Sequence, residues 1–410
     1  MPGIRRRLLA AYIRARSRLR AVVEEPEHAN APAGDGPGLP GGPTVVVHFG
    51  DSPETLYQVT GWLPVLERVH TKLPVTIVCR HPETFGGLAA ATSLPVSFLY
   101  SYETLARAVE ASPAKLVLYV NHHQLNYQML RLRRILHIHI GHGESDKEYM
   151  ASNQVKAYDF VLVAGEAAVE RLGSALFGLD PARLIPVGNP QLDVASAPGP
   201  LPEITTVLYA PTFEGDAGGF RYTSLDSLGP EIVAGILASP SHRLIYRPHP
   251  IAGLRDPGVR AIDERLRADV ARAGRRTPGH RVDIRTPFAE LMHRAHVLVA
   301  DVSAVVIDFL GTGRPFFVAR PPNLEPEAVG QTALEAGYVV DAANVSRLPE
   351  LVDEALASDP KAIERARWLH RHLGDVTKGA SLDRFVEALE TLTRRRDEWI
   401  ATTARARPGS

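Results

Sequence analysis

Thr44-Val-Val-Val-His-Phe49 decides how this chain is read. The apolar run is unbroken rather than alternating, the mark of a strand buried on both faces, as in a parallel sheet. Just before it, Pro26 to Pro43 (PEHANAPAGDGPGLPGGP) has little to bury, so residues 26–43 are expected to be a flexible linker. Downstream, strands are expected at Val75–Cys79, Val96–Tyr100, Lys115–Val120, Leu136–Ile140 and Phe160–Ala164. Helical stretches at Pro53–Val69, Pro82–Ala91, Tyr102–Ala111, Gln124–Arg134 and Glu166–Leu176 alternate with them. Repeated β-α units of this kind build a parallel sheet with helices on both faces.

A proline-rich break at Asn189–Pro202 interrupts the pattern, which then restarts. Thr206–Tyr209, Arg243–Arg247, Val282–Arg285, Val297–Ala300 and Phe316–Val318 read as strands, and Leu348–Ala357, Pro360–Leu373 and Ser381–Arg396 as closing helices. The expected fold class is therefore α/β, two Rossmann-like domains facing a cleft in the GT-B manner. Two Rossmann-like domains are expected at 44–195 and 203–375, with a helix over 376–400 that packs on one or crosses between both. Length agrees, since 410 residues exceed one ordinary core.

Composition narrows the partners. Lys plus Arg and Asp plus Glu number 46 each, so overall charge implies no nucleic-acid partner. The single cysteine, Cys79, excludes an intramolecular disulfide and a multi-cysteine zinc site, and it sits in an apolar run as a small buried hydrophobe. Without disulfides, a reducing cytoplasm is the natural compartment. Residues 1–25 carry seven arginines before Ala21, with Leu8, Tyr12, Ala15, Leu19 and Val22 at helical spacing. No apolar core of a signal peptide lies among them. Such a basic amphipathic helix either lies on an anionic membrane surface, which would place the chain at the inner face of the cell membrane, or docks on the protein.

Ligands of open α/β sheets bind beyond the carboxyl ends of the strands, so the residues following each strand are the candidates. Four loops stand out. In Gly141-His-Gly-Glu-Ser-Asp-Lys147, His142 lies between two glycines that admit close approach, and its side chain suits a general base near neutrality. Gly141, Gly143, Glu144, Ser145, Asp146 and Lys147 support it. Nearby His137 and His139 suggest a metal, but on a mid-sheet strand they read as core or near-cleft histidines. In Tyr209-Ala-Pro-Thr212, Thr212 brings a hydroxyl to a strand end. In Arg247-Pro-His-Pro250, prolines stiffen His249 beside the cation of Arg247, a pair suited to phosphate. In Asp301-Val-Ser-Ala-Val-Val-Ile-Asp308, a strand leads through Asp301 into a helix whose first amides, at Ser303 and Ala304, can hold an anion. Ser303 also suits a helix cap, and Asp308 faces the cleft or forms a salt bridge. No phosphate-binding P-loop, dinucleotide fingerprint or Asp-x-Asp metal clamp is present.

Taken in order, His142-Gly143, Tyr209-Ala-Pro-Thr212, Arg247-Pro-His-Pro250 and Asp301-Val-Ser303 with Asp308 resemble the CDP-glycerol glycerophosphotransferase family, the primases and polymerases of teichoic acids and related capsules. The likeness runs from about Leu136 to Leu392. It implies a GT-B fold, a CDP-glycerol or other CDP-alditol donor, and a lipid-linked, glycan or polymer acceptor. It implies release of CMP, with neither cofactor nor metal. By the resemblance His142 is the catalytic base and His249 binds or neutralises the transferred phosphate. Thr212, Arg247, Asp301, Ser303, Ala304 and Asp308 hold the donor, and Gly374–Ser381, with Lys378, closes over it. Two departures leave donor and acceptor identity open. Glu144-Ser-Asp-Lys147 looks more like the capsule branch than the Thr-Pro type of teichoic members, and Ser303-Ala304 replaces a common serine pair. A nucleotide-sugar GT-B glycosyltransferase or epimerase, and a non-catalytic envelope-assembly partner, are the alternatives.

Overall fold

The computed structural model describes residues 27–29, 38–144, 151–195, 199–215, 221–324 and 333–405. The expected N-terminal helix lies outside them, as do Ser145, Asp146 and Lys147. The chain divides into two compact units. Met1–His142, Gln154–Val161 and Val386–Ser410 form the first, Gly143–Asn153 and Leu162–Phe385 the second.

The first sheet holds β1 (Glu27–Ala29), β2 (Val45–Phe49), β3 (Val75–Cys79), β4 (Val96–Phe98), β5 (Leu116–Tyr119), β6 (Leu136–His139), β7 (Phe160–Val163) and β8 (Leu184–Pro186). Their spatial order is β1-β4-β3-β2-β5-β6-β7-β8. From β2 to β7 the pairs are parallel. The helices α1 (Leu63–His70), α2 (Pro82–Ala91) and α3 (Tyr102–Glu110) connect strands, and Ser101 caps α3 by accepting the Thr104 amide at 3.1 Å. The run that begins at Val45 is buried throughout. Cys79 is likewise buried, and burial pushes its thiol up to about 12, which makes it an inert core residue.

In the second unit β9 (Thr205–Ala210), β10 (His242–Tyr246), β11 (Arg281–Val282), β12 (Val297–Ala300), β13 (Phe316–Ala319) and β14 (Tyr338–Val340) form a sheet ordered β11-β10-β9-β12-β13-β14. Every pair is parallel. Successive side chains go to opposite faces. Leu208, Ala210, Leu298, Ala300, Phe316 and Val318 therefore enter one core, and Val207, Tyr209, Val297, Val299, Phe317 and Ala319 another. Helices cover both, among them α4 (Glu166–Ala175), α5 (Pro190–Val194), α6 (Gly229–Ala238), α7 (Pro257–Arg276), α8 (Ala304–Leu310), α9 (Leu348–Ala357) and α10 (Ala362–Leu373). The last helix, α11, spans Ala380–Arg405. Among the described residues no helix is long and apolar enough to cross a membrane.

Several elements depart from the sequence reading. Glu27–Ala29, expected within the linker, pairs antiparallel with β4, and Thr76 Oγ1 donates to Pro40 O at 2.7 Å, which anchors the chain before β2. The helix expected over Pro53–Val69 is three pieces: Pro53–Thr55, Tyr57–Thr60 and α1. Pro64 has no N–H to join a preceding turn, so it begins a helix instead of continuing one. The stretch Gln124–Arg134 keeps only Asn126–Met129 helical.

One buried cation holds α10 in place. Arg365, 1% exposed, donates from Nε to Gly313 O at 3.2 Å and from Nη1 to Ala336 O at 2.9 Å, and it pairs with Asp359. Removing one partner of a buried pair strands the other. Arg365→Leu is expected to cost about 3–5 kcal/mol of stability in a denaturant titration; a loss below about 1 kcal/mol would remove this anchoring role.

Candidate active site

Each sheet has one point where strand order reverses, and ligands of open α/β sheets bind beyond the strand ends at such a point. In the second unit it falls between β9 and β12. Pro211 and Thr212 follow one strand, Asp301 to Ser303 the other. Asp301 is fully buried and joins the two sides: Oδ2 accepts the Thr212 amide at 2.6 Å and Oδ1 the Ser224 amide at 3.1 Å. A carboxylate engaged in this way shapes the loop. Thr212, 3% exposed, returns its carbonyl to Thr223 Oγ1 at 2.9 Å.

The groups expected to bind phosphate lie beside this bridge. Arg247 continues the β10 ladder, its amide on Tyr209 O at 2.8 Å, and its Nη1 donates to Asp283 O at 2.8 Å. Burial lowers its pKa from the usual guanidinium range and the nearby Asp283 opposes that shift, so it is a fixed cation. His249 sits half-buried with its amide on Pro211 O at 3.2 Å and its ring 5.0 Å from that of Phe213. The Ile251 amide donates to His249 Nδ1 at 3.4 Å. In the neutral ring that leaves the proton on Nε2, so His249 presents a donor.

Glu214 holds the loop after His249, a role the sequence reading missed. Its carboxylate accepts the amides of Gly253, Arg255 and Asp256 at 2.8, 3.0 and 3.1 Å. Burial works to raise its pKa, but the three amides outweigh it and the group stays ionised.

The helix α8 opens at Ser303, which occupies the cap position in extended conformation. Its hydroxyl does not cap the helix as expected but donates to Asp301 O at 3.0 Å. Ala304 is half-buried, and a Cβ built on Gly143 would stand 3.2 Å from its Cβ, at a backbone φ of +157°. Both facts favour glycine at 143. Glu144 pairs with Arg171. Asp308 accepts a hydrogen bond from Asn189 Nδ2 at 2.8 Å rather than forming a salt bridge. Lys378, exposed, lines a separate pocket of about 320 Å³ with Asp193, His293 and Ser381.

His142 belongs to the first unit and follows β6. Gly141, at φ +63°, turns the chain there, and its carbonyl accepts from Trp62 Nε1 at 2.8 Å. His142 Nδ1 lies 3.0 Å from Val120 O, which only accepts, so Nδ1 carries the proton and Nε2 the lone pair. The ring is exposed, edge-on to Tyr57 at 6.2 Å. This setting is the reverse of that at His249: one imidazole is disposed to take a proton, the other to give a hydrogen bond.

Three further imidazoles are structural. His137 accepts from Tyr119 Oη at 2.8 Å and donates to Leu132 O at 3.0 Å. His139 stacks on His122 at 4.1 Å with planes 11° apart. Burial, then the neighbouring histidine charges, hold His139 well below its usual pKa, and burial with the charge of His142 brings His122 to about 4. The pair therefore stays neutral beside the candidate base. Among the described residues no group of three or more His, Cys, Asp or Glu side chains could hold a metal ion.

Two parallel sheets, each with polar groups at its switch point, define an α/β, GT-B-like protein. Residues 137–325 match the family model described as CDP-Glycerol:Poly(glycerophosphate) glycerophosphotransferase. The wall teichoic acid polymerase TagF, solved with CDPG, aligns at TM-score 0.54 and 14% identity over 86% of this chain and 89% of that one. UDP-GlcNAc 2-epimerase from Neisseria meningitidis aligns at TM-score 0.55 and 16% identity, over 85% and 99%. At such identities the likeness is one of fold. A probable UDP-N-acetylglucosamine 2-epimerase of Ralstonia solanacearum is 32% identical over 105 residues, 25% of this chain and 26% of that one. The match thus spans about a quarter of that curated relative's length.

Asp308 gives the site a measurable pH signature. Burial pushes its carboxyl up from 3.8 to about 7, the charge of Glu144 adding to the effect and the Asn189 bond opposing it. The folded chain thus keeps a proton that the unfolded chain releases near 3.8. The stabilisation is complete below that pH and is lost as pH rises through about 7. Asp308→Asn should gain melting temperature relative to the unsubstituted protein at pH 8 but not at pH 4; a difference constant across that range would refute the shift.

Proposed function

We propose that the chain transfers glycerol phosphate from CDP-glycerol to an acceptor hydroxyl, releasing CMP, in the synthesis of a teichoic-acid-like or capsule polymer. The reading rests on the opposite hydrogen-bond settings of His142 and His249 within the family-matched segment. The acceptor hydroxyl gives its proton to His142 Nε2 as its oxygen attacks the glycerol-bearing phosphorus in line. The bond from that phosphorus to the oxygen bridging to CMP breaks, and CMP leaves with that oxygen. Charge gathering on the phosphates meets Arg247, His249 Nε2–H and the first amides of α8. Phosphoryl transfer needs this positioning and charge more than covalent help.

His142→Ala should retain its melting temperature and lose roughly 100-fold or more in CMP release. Near-normal turnover would retire the base assignment. His249→Gln keeps a hydrogen-bond donor and should retain more activity than His249→Ala.

The 105-residue likeness to an epimerase supports a second reading, a nucleotide-sugar enzyme. Calorimetric titration with CDP-glycerol, CDP-ribitol and UDP-sugars separates the two, and tighter binding of a UDP-sugar would displace the CDP-alcohol reading.

For location we propose a peripheral enzyme at the cytoplasmic face of the cell membrane, held by the arginine-rich residues 1–25. Co-sedimentation with anionic vesicles should depend on those residues; equal pelleting after their removal contradicts the anchor.

A further inference from the structure

The switch point of the first sheet falls between β2 and β5, and its polar side chains have no part in the chemistry above. Gly50, Asp51 and Ser52 follow β2, and Val120 to His123 follow β5. Asn121 Nδ2 donates to Asp51 Oδ2 at 3.2 Å and to Gln58 Oε1 at 2.7 Å. Asp51 Oδ1 takes the Ser52 amide at 2.7 Å. His123 Nδ1 accepts the Leu125 amide at 3.2 Å, so in the neutral ring Nε2 bears the proton, 3.9 Å from Asp51 Oδ1. A Cβ at Gly50 would stand 2.8 Å from Leu125 Cβ and 3.1 Å from His123 Nδ1, so a glycine is needed to bring these loops together.

The cluster adjoins the candidate base. Val120 O, which orients His142, precedes Asn121, and Tyr57, whose ring edges His142, precedes Gln58. Asn121 is 8% exposed, and its Oδ1 has no hydrogen-bond partner among the described residues. A buried acceptor left so carries an uncompensated desolvation cost, which a hydroxyl brought against it relieves. Asp51 keeps about a fifth of its side chain exposed and carries a negative charge that its distant histidine neutralises poorly.

We propose that Asp51, Asn121 and Gln58 form the acceptor subsite, and that they recognise a neutral vicinal diol at the end of the acceptor. Carboxylate and amide oxygens accept from adjacent hydroxyls and so place one of them at His142, whereas a terminal phosphate is repelled by Asp51. The inference rests on the transferase reading for its choice of acceptor, but the binding surface is testable without turnover.

The test is equilibrium binding to the full chain of two glycerophosphate oligomers, one ending in free glycerol and one in a phosphomonoester, with CDP-glycerol titrated separately. The glycerol-ended oligomer should bind, and Asp51→Asn and Gln58→Ala should each weaken it tenfold or more while leaving CDP-glycerol affinity and melting temperature unchanged. The phosphate-ended oligomer should bind at least tenfold more weakly. Equal binding of both oligomers, or indifference to both substitutions, overturns the subsite. Asp51-dependent oligomer binding without CDP-glycerol binding preserves the subsite and rejects the donor reading instead.

Discussion

A carboxylate with no exposure to water, Asp301, takes one backbone amide from each of two segments that follow β9, at Thr212 and Ser224. Charge-assisted bonds to N–H groups are among the stronger ones inside a protein, and breaking them leaves buried amides unpaired. The loop that carries Thr212 is therefore set by a residue that follows β12, the neighbouring strand. His249 hangs from the same loop through Pro211 O, and Ser303 bonds the carbonyl of Asp301 itself. The candidate loops of the second unit are thus mutually referenced.

The first unit repeats the device in a weaker form. There an amide, Asn121, reaches a carboxylate, Asp51, at the corresponding reversal of strand order. Parallel strands diverge at such a point, and the gap must be filled by side chains or by ligand. The link of the second unit is fully buried at its carboxylate, whereas that of the first keeps part of its carboxylate exposed. His142 is set by a third element, a carbonyl beyond β5, which fixes its tautomer without burying it.

The continuous apolar runs at Val45, Leu116 and Val297 were legible because a strand covered on both faces tolerates little else. The motif histidines were legible because glycine and proline flank them. Glu27–Ala29 was not, since a short polar edge strand has no apolar signature and reads as linker. Tyr338–Val340 was missed as too short a run, and the helix at Pro53 was overextended because its apolar spacing continues through Pro64 although its hydrogen bonds cannot. The sequence position of Asp301 identifies the strand end but not which amides lie within reach. Glu214, Asn121 and Gln58 act through residues distant in the chain, and spacing along a sequence does not report that.

The grip of Glu214 on residues 253, 255 and 256 uses main-chain N–H groups only. Any residue but proline can supply one, so the side chains at 255 and 256 are not dictated by this clasp. Position 253 is the exception: its φ of +73° and the 2.5 Å a Cβ would leave to Arg260 Cα require glycine. The rim beside His249 can therefore change its chemistry by drift while the imidazole stays where it is. Side-chain variation at 255 and 256 leaves this clasp in place.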